Sequence, residues 1–262
     1  MNAFFKSRII ELLFGTGIPM VGFFCAVRNM EGLSLLYIAY PLLLITGWHV
    51  LAVNDICFDR KKFSFSLKYF LPIIVVPIIL GIFCLQKPVF ALVLFLIIVN
   101  WNIYSVYGKY HWLTGLFHNF SGGLLHFLAG IAAAGCSDMF QFAPQALFFG
   151  FAMLSGAVHH DASHSAEDLD HNYRTGAVVF GEFNWWRLGI LPMFVGMIFL
   201  LHTNDMPFML SFCISTSIYF VLYLAMSTFK PAGYMLYFRL FCRIAFAIGA
   251  IGYVVLKITR LG

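Results

Sequence analysis

The segment from His159 to Gly181, HHDASHSAEDLDHNYRTGAVVFG, gathers Asp161, Glu167, Asp168, Asp170 and Arg174 with several histidines between two long apolar runs. Charged residues make up only 10% of the chain, so their concentration here marks the window where chemistry is expected. If the preceding helix continues through it, Asp161 and Asp168 stand two turns apart, roughly 10 Å along one face, with His164 on the same side. Carboxylates so placed at a membrane boundary suit Mg²⁺ with phosphate oxygens, because Mg²⁺ takes one or two carboxylates and leaves its other positions to water and substrate. A second acidic knot, Asn54-Asp55-Ile56-Cys57-Phe58-Asp59-Arg60-Lys61-Lys62, follows an earlier apolar run. Asp55 and Asp59 are one turn apart and would share a helical face. Two such clusters at the ends of two helices could hold metal ions on both sides of one diphosphate.

On these residues the chain resembles the UbiA superfamily of intramembrane prenyltransferases, as a divergent member. That family carries an NDxxDxxxD-type motif after its second helix and a DxxxD-type motif after its sixth. Asn54, Asp55 and Asp59 resemble the first; Asp161 and Asp168, followed by Arg174-Thr175 and Phe180-Gly181, resemble the second in a wider spacing. The departures are specific. Phe58 stands where the family has its second aspartate, Asp59 is displaced by one, Lys62 and Phe63 replace the third, and His164 stands where many members carry an acid. The resemblance implies an all-α bundle of nine transmembrane helices around a central cavity, built as one domain over residues 1–262. It implies Mg²⁺-dependent transfer of an isoprenyl group from its diphosphate to a lipophilic, aromatic acceptor. Asn54, Asp55, Asp59, Asp161 and Asp168 would then ligate metal, with the aspartates catalytic.

Composition places the chain in a membrane. Hydrophobic residues are 61% of its 262 positions and the mean hydropathy is +0.88. The net charge of +5 is spread over loops, which leaves no basic face for nucleic acid and fits juxtamembrane contact with anionic lipid. Six cysteines without a CxxC pair read as small buried hydrophobes. Apolar windows predict helices near 9–27, 33–53, 68–85, 88–106, 115–135, 142–162, 185–202, 207–227 and 233–256. Lys6 and Arg8 precede the first without a small-residue cleavage site, so it is expected to be a span and not a signal peptide. With the N-terminus in the cytoplasm, the loops bearing Arg60 to Lys62, Lys109, Arg174, Arg187 and Lys230 fall inside, and both acidic motifs face that compartment, as in a bacterial inner membrane. Gly122, Gly123, Gly130, Gly249 and Gly252 are expected at close helix crossings.

The leaving diphosphate needs cations, and Arg60, Lys109, Arg174, Arg239 and Arg243 are the candidates. Tyr104-Ser105 matches the start of a YSxPPxRxK-like segment of the family; the prolines and arginine do not follow, and Lys109 lies nearby. Arg239 and Arg243, one turn apart in the last span, either snorkel to the interface or line the cavity. His118, Asn119 and His126 are expected to bond neighbouring helices or to orient an acceptor, and His49 likewise bonds a neighbour or points inward. Trp48, Tyr104, Tyr107 and Trp112 either anchor at the interface or line a prenyl tunnel. Three other functions compete: a terpene cyclase that uses no acceptor, a membrane oxidase drawing on His159, His160, His164 and His171, and a non-catalytic lipid-binding protein.

Overall fold

The computed structural model describes residues 16–58, 67–229 and 233–261, and among them every regular element is a helix. In chain order these are α1 (Gly17–Ala26), α2 (Leu36–Phe58), α3 (Leu67–Cys84), α4 (Pro88–Tyr107), α5 (Trp112–Ala133), α6 (Ala143–Ser163), α7 (Ser165–Asp170), α8 (Gly176–Phe180), α9 (Glu182–Leu188), α10 (Ile190–Leu201), α11 (Met206–Phe229) and α12 (Tyr234–Leu261). Short 3₁₀ turns lie at Glu31–Leu35, Gly108–Tyr110 and Phe140–Phe142.

Among the described residues, 7 helical stretches are long and apolar enough to cross a membrane, so the chain is a multi-pass integral membrane protein. The expected total of nine is not reached in that count. Of the first expected span only the 10 residues of α1 are described, and the third is the 18-residue α3. The seventh expected span is present as Glu182–Leu201, with a single-residue interruption between α9 and α10 at Gly189. Pro192 has no N–H for the carbonyl of Leu188, which removes the helical bond at that point. A side chain at Gly189 would also meet the His159 ring, 2.6 Å from the position of its Cβ.

The helices form two compact units: residues 1–106 with 125–139 and 261–262, and residues 107–124 with 140–260. In the first unit α2 packs on α3. There α1 crosses the end of α5 at two glycines: a Cβ on Gly22 would strike the Phe127 carbonyl, and one on Gly130 the Pro19 carbonyl. In the second unit α6 packs on α10, α9 and α8. Gly123 of α5 lies against the Phe149 backbone and Met153, and Gly249 of α12 against Ser215 and the Ser211 carbonyl. Three of the expected small-residue crossings are therefore present, whereas Gly252 faces open space. The second unit's core is aromatic: Trp185, Trp186, Tyr219, Tyr223 and Phe238 pack with Val158, Ala162 and Met193. Outward faces such as Leu236, Leu240, Ile244, Ile248 and Ile251 of α12 are exposed and apolar, as lipid contact requires.

Candidate active site

Helix α6 stops at Ser163, whose hydroxyl bonds back to the His160 carbonyl at 2.9 Å, a local bond that competes with the helical ladder. The six residues of α7 follow after His164. Asp161 and Asp168 therefore do not share one helical face, as continuity of the helix would have required; they sit on successive helices and remain electrostatic neighbours. The end of α7 is a Schellman motif. The Tyr173 N–H donates to the Asp168 carbonyl at 2.9 Å and the Asn172 N–H to that of Leu169 at 3.0 Å, with Asn172 in the left-handed region at φ 58°. Asparagine tolerates that conformation better than other side-chain-bearing residues.

This turn brings both sides of the Asp168 carboxylate, 3% exposed, to partners. The Lys109 ammonium approaches Oδ1 at 3.5 Å, and the Thr175 hydroxyl donates to Oδ2 at 3.1 Å. Thr175 stands at the N-cap of α8, where its hydroxyl would ordinarily accept a backbone N–H; here it makes no cap bond and serves the carboxylate. Lys109 is fixed from two further directions. Its carbonyl accepts the Arg174 N–H at 2.8 Å, and its ammonium lies 5.1 Å from the centre of the Tyr173 ring.

Asp161 has Asp168, Lys109 and Arg239 as charged neighbours. Beside it is Trp185, whose buried indole N–H reaches no partner at full bonding distance among the described residues. The Trp185 ring occupies the space a Cβ on Gly176 would fill. Arg239, half-buried, donates from Nη1 to the Ser163 hydroxyl at 2.8 Å. Arg243 is exposed but lies within electrostatic reach of His160, and Arg174 is exposed. His164 Nδ1 bonds Glu167 Oε2 at 3.0 Å, and that bond holds the Glu167 carboxyl below its ordinary range. Glu167 and Asp170 both face outward. Two clustered carboxylates, one flanked by a threonine hydroxyl, form an oxygen donor set of the kind Mg²⁺ takes when phosphate and water complete its shell.

His160 and His164 pack ring on ring at 4.6 Å, while the other histidines of the segment go to separate partners. His159, 1% exposed, bonds the Tyr219 hydroxyl through Nε2 at 2.8 Å and is ringed by Trp186, Tyr223 and Phe238. Tyr219 donates in turn to the Gly189 carbonyl at 3.1 Å, which also accepts the Ser155 hydroxyl at 2.8 Å. His171 Nδ1 bonds the Glu167 carbonyl at 2.8 Å. Among the described residues no three His, Cys, Asp or Glu side chains converge as a metal cage.

In the first unit, Asn54 Oδ1 accepts the Ser105 hydroxyl at 3.5 Å and His49 Nε2 meets Asn102 Nδ2 at 3.3 Å. His49 is thus an interhelical bond between α2 and α4. Asp55 belongs to α2, while Asp59 and Arg60 lie outside the described residues. Tyr104 is half-buried, its ring edge-on to Trp101 at 5.4 Å, and His126 packs on the same tryptophan. His118 is buried in α5, and Asn119 bonds the Gly115 carbonyl of its own helix at 2.8 Å. Trp48 and Tyr107 are exposed, as anchors would be. A hollow in this unit lined by Met20, Leu36, Tyr37 and Tyr40 includes no motif residue.

Thr175, Tyr173, Trp185 and Gly176 were not foreseen as site residues. A Thr-Gly pair opening a helix reads as a cap, and a tryptophan beside an acidic segment reads as an interfacial anchor.

The class that this helix arrangement defines is the UbiA-like fold, all-α and membrane-embedded. It aligns over 96% of this chain and 96% of the other with a digeranylgeranylglyceryl phosphate synthase, at a TM-score of 0.71 and 12% identity. It aligns over 93% of this chain and 96% of the other with a UbiA homolog from Archaeoglobus fulgidus bound to Cd²⁺, at a TM-score of 0.63 and 14% identity. The sequence itself matches no protein-family model and no curated protein.

Proposed function

We propose that this protein is an intramembrane prenyltransferase that moves an isoprenyl group from its diphosphate to a lipophilic acceptor. The observation that carries this reading is the buried Asp168 carboxylate, with Asp161, Lys109 and Arg239 around it, on a UbiA-like fold. Two neighbours in that fold support it in kind: one is named for a product bearing geranylgeranyl groups on a glyceryl phosphate, the other was observed with a divalent cation. Asp161 and Asp168 would hold Mg²⁺ here, and Asn54, Asp55 and Asp59 of the first motif serve the same reaction. When bound, Mg²⁺ supplies charge that stabilises the departing diphosphate.

The chain's own residues do the rest. Lys109, Arg174, Arg239 and Arg243, with Arg60 assigned the same role, offset the negative charge that grows on the bridging oxygen as the allylic C–O bond breaks and the electron pair leaves with pyrophosphate. Trp185, buried beside Asp161 and edge-packed on Trp112 at 5.9 Å, lowers the polarity around that carboxyl and so strengthens its interactions. A nucleophile of the acceptor then forms the new bond to the allylic carbon and releases a proton. His118 and Tyr104 are assigned to binding the apolar substrate, and His164 to holding Glu167 at the mouth. We assign the site to the cytoplasmic side of the membrane, a reading supported by the lysines and arginines of the loops on that side.

The test is pyrophosphate release from geranyl, farnesyl and geranylgeranyl diphosphates by the purified protein in lipid nanodiscs, with and without Mg²⁺, an aromatic acceptor and a glyceryl phosphate acceptor. Mg²⁺-dependent and acceptor-dependent release, lost in both Asp55→Ala and Asp168→Ala, is the expected result. Release with hydrocarbon products and no acceptor would make it a cyclase. No release from any diphosphate would sink the enzyme reading.

A further inference from the structure

The Asp168 carboxylate is already engaged on both sides: Lys109 is on Oδ1 and Thr175 on Oδ2, and the carboxylate is only 3% exposed. A divalent cation reaching it must displace one partner, and the ammonium is the one that also repels the newcomer. Lys109 can give way without disturbing the loop. Its main chain is held by the 2.8 Å bond from the Arg174 N–H, while its ammonium sits on a flexible four-carbon stem, 19% exposed and 5.1 Å from the Tyr173 ring centre. The 3.5 Å approach of the ammonium to Oδ1 is longer than a close charge-assisted bond. A diphosphate, carrying more negative charge than one carboxylate, is the stronger partner for it.

We propose that Lys109 is a positioning residue that makes cation binding conditional on diphosphate: it occupies Asp168 until the anion draws its ammonium away, which vacates the carboxylate for the divalent ion. This rests on the assignment of Asp161 and Asp168 to a divalent cation made above. The cation and the anion then bind with positive coupling, each raising the affinity of the other by the same factor. The acid pair is kept from collecting divalent ions in the absence of substrate, and Thr175 holds the carboxylate's orientation through the exchange.

Mn²⁺ binding to the full chain in nanodiscs, counted by equilibrium dialysis and by its electron paramagnetic resonance signal at fixed free Mn²⁺, tests this without turnover. Lys109→Met should bind Mn²⁺ alone between about fivefold and 150-fold more tightly than the natural protein, the usual range of such coupling. Lys109→Arg, which keeps the competing charge, should stay weak. Geranyl thiodiphosphate, a poorly reactive analogue whose oxygens also ligate the ion, should raise Mn²⁺ affinity in both proteins, and by a clearly larger factor in the natural protein than in Lys109→Met. Equal Mn²⁺ affinity in the natural protein and Lys109→Met would overturn the inference while leaving the metal assignment standing. Absence of Mn²⁺ from every variant, with or without the analogue, would overturn both.

Discussion

Replacing Tyr219 by Phe removes one oxygen from a buried site. That hydroxyl, in a side chain 2% exposed, accepts from His159 Nε2 at 2.8 Å and donates to the Gly189 carbonyl at 3.1 Å. After the substitution Gly189 keeps the Ser155 hydroxyl at 2.8 Å, so no carbonyl is abandoned. The imidazole proton is. Moving it to Nδ1 gives no relief, because His159 Nδ1 is buried and has no partner among the described residues. An orphaned buried donor costs about 1–3 kcal/mol in water-soluble proteins, and interhelical bonds measured in membranes average about 0.6 with a maximum of about 1.7 kcal/mol. The expected loss is therefore about 1–2 kcal/mol. Reversible unfolding by dodecyl sulfate in mixed micelles would measure it, with Trp186, 5.5 Å from the His159 ring, as a fluorescent reporter. Removing both partners in His159→Leu with Tyr219→Phe should be less damaging than the sum of the single changes, since no polar group is then stranded. Strict additivity, or a Tyr219→Phe protein as stable as the natural one, would refute the network.

Asn172→Gly should leave stability unchanged within about 0.5 kcal/mol, whereas Asn172→Val should lose about 1–2 kcal/mol at φ 58° and lower Mg²⁺ affinity through Asp168; thermal midpoints and metal titration read the two effects. Gly130→Leu should prevent α1 from seating against α5, because the side chain meets backbone atoms of Pro19 and Phe23 that cannot turn aside, and the folded yield in detergent should collapse; a normal elution profile would contradict that crossing. Arg239→Gln should raise KM for the isoprenyl diphosphate about tenfold or more through loss of one charge-assisted contact, while Arg239→Lys recovers part of it; an unchanged KM in Arg239→Gln would restrict the arginine to its bond with Ser163.

The helices were legible because lipid demands long apolar runs, and only where a local rule interfered did the pattern mislead. The run near 185–202 read as one span and is one, Glu182–Leu201, though Pro192 leaves the Leu188 carbonyl without its helical donor and the helix is interrupted at Gly189. The acid-rich window read as a helix carrying Asp161 to Asp168, but a serine back-bond and an asparagine turn divide it. Periodicity cannot see either, since both depend on single side chains bonding to the main chain. Asp161, Asp168 and Arg239 were found from charge in an apolar context, where an ionised group needs a reason. Thr175 was noted only as part of the second motif and Trp185 not at all: each has an ordinary local explanation, and only the packed structure shows the hydroxyl and the indole beside carboxylates.

Lys109 precedes α5, while Asp168 and Arg174 follow α6, so two whole membrane helices must be threaded between the halves of this latch. A chain emerging from the ribosome holds Lys109 long before it holds an aspartate for it to meet. The acid cluster is consequently assembled late, only after α5 and α6 are both in the bilayer, and a product truncated just beyond α6 would be inserted yet carry no site.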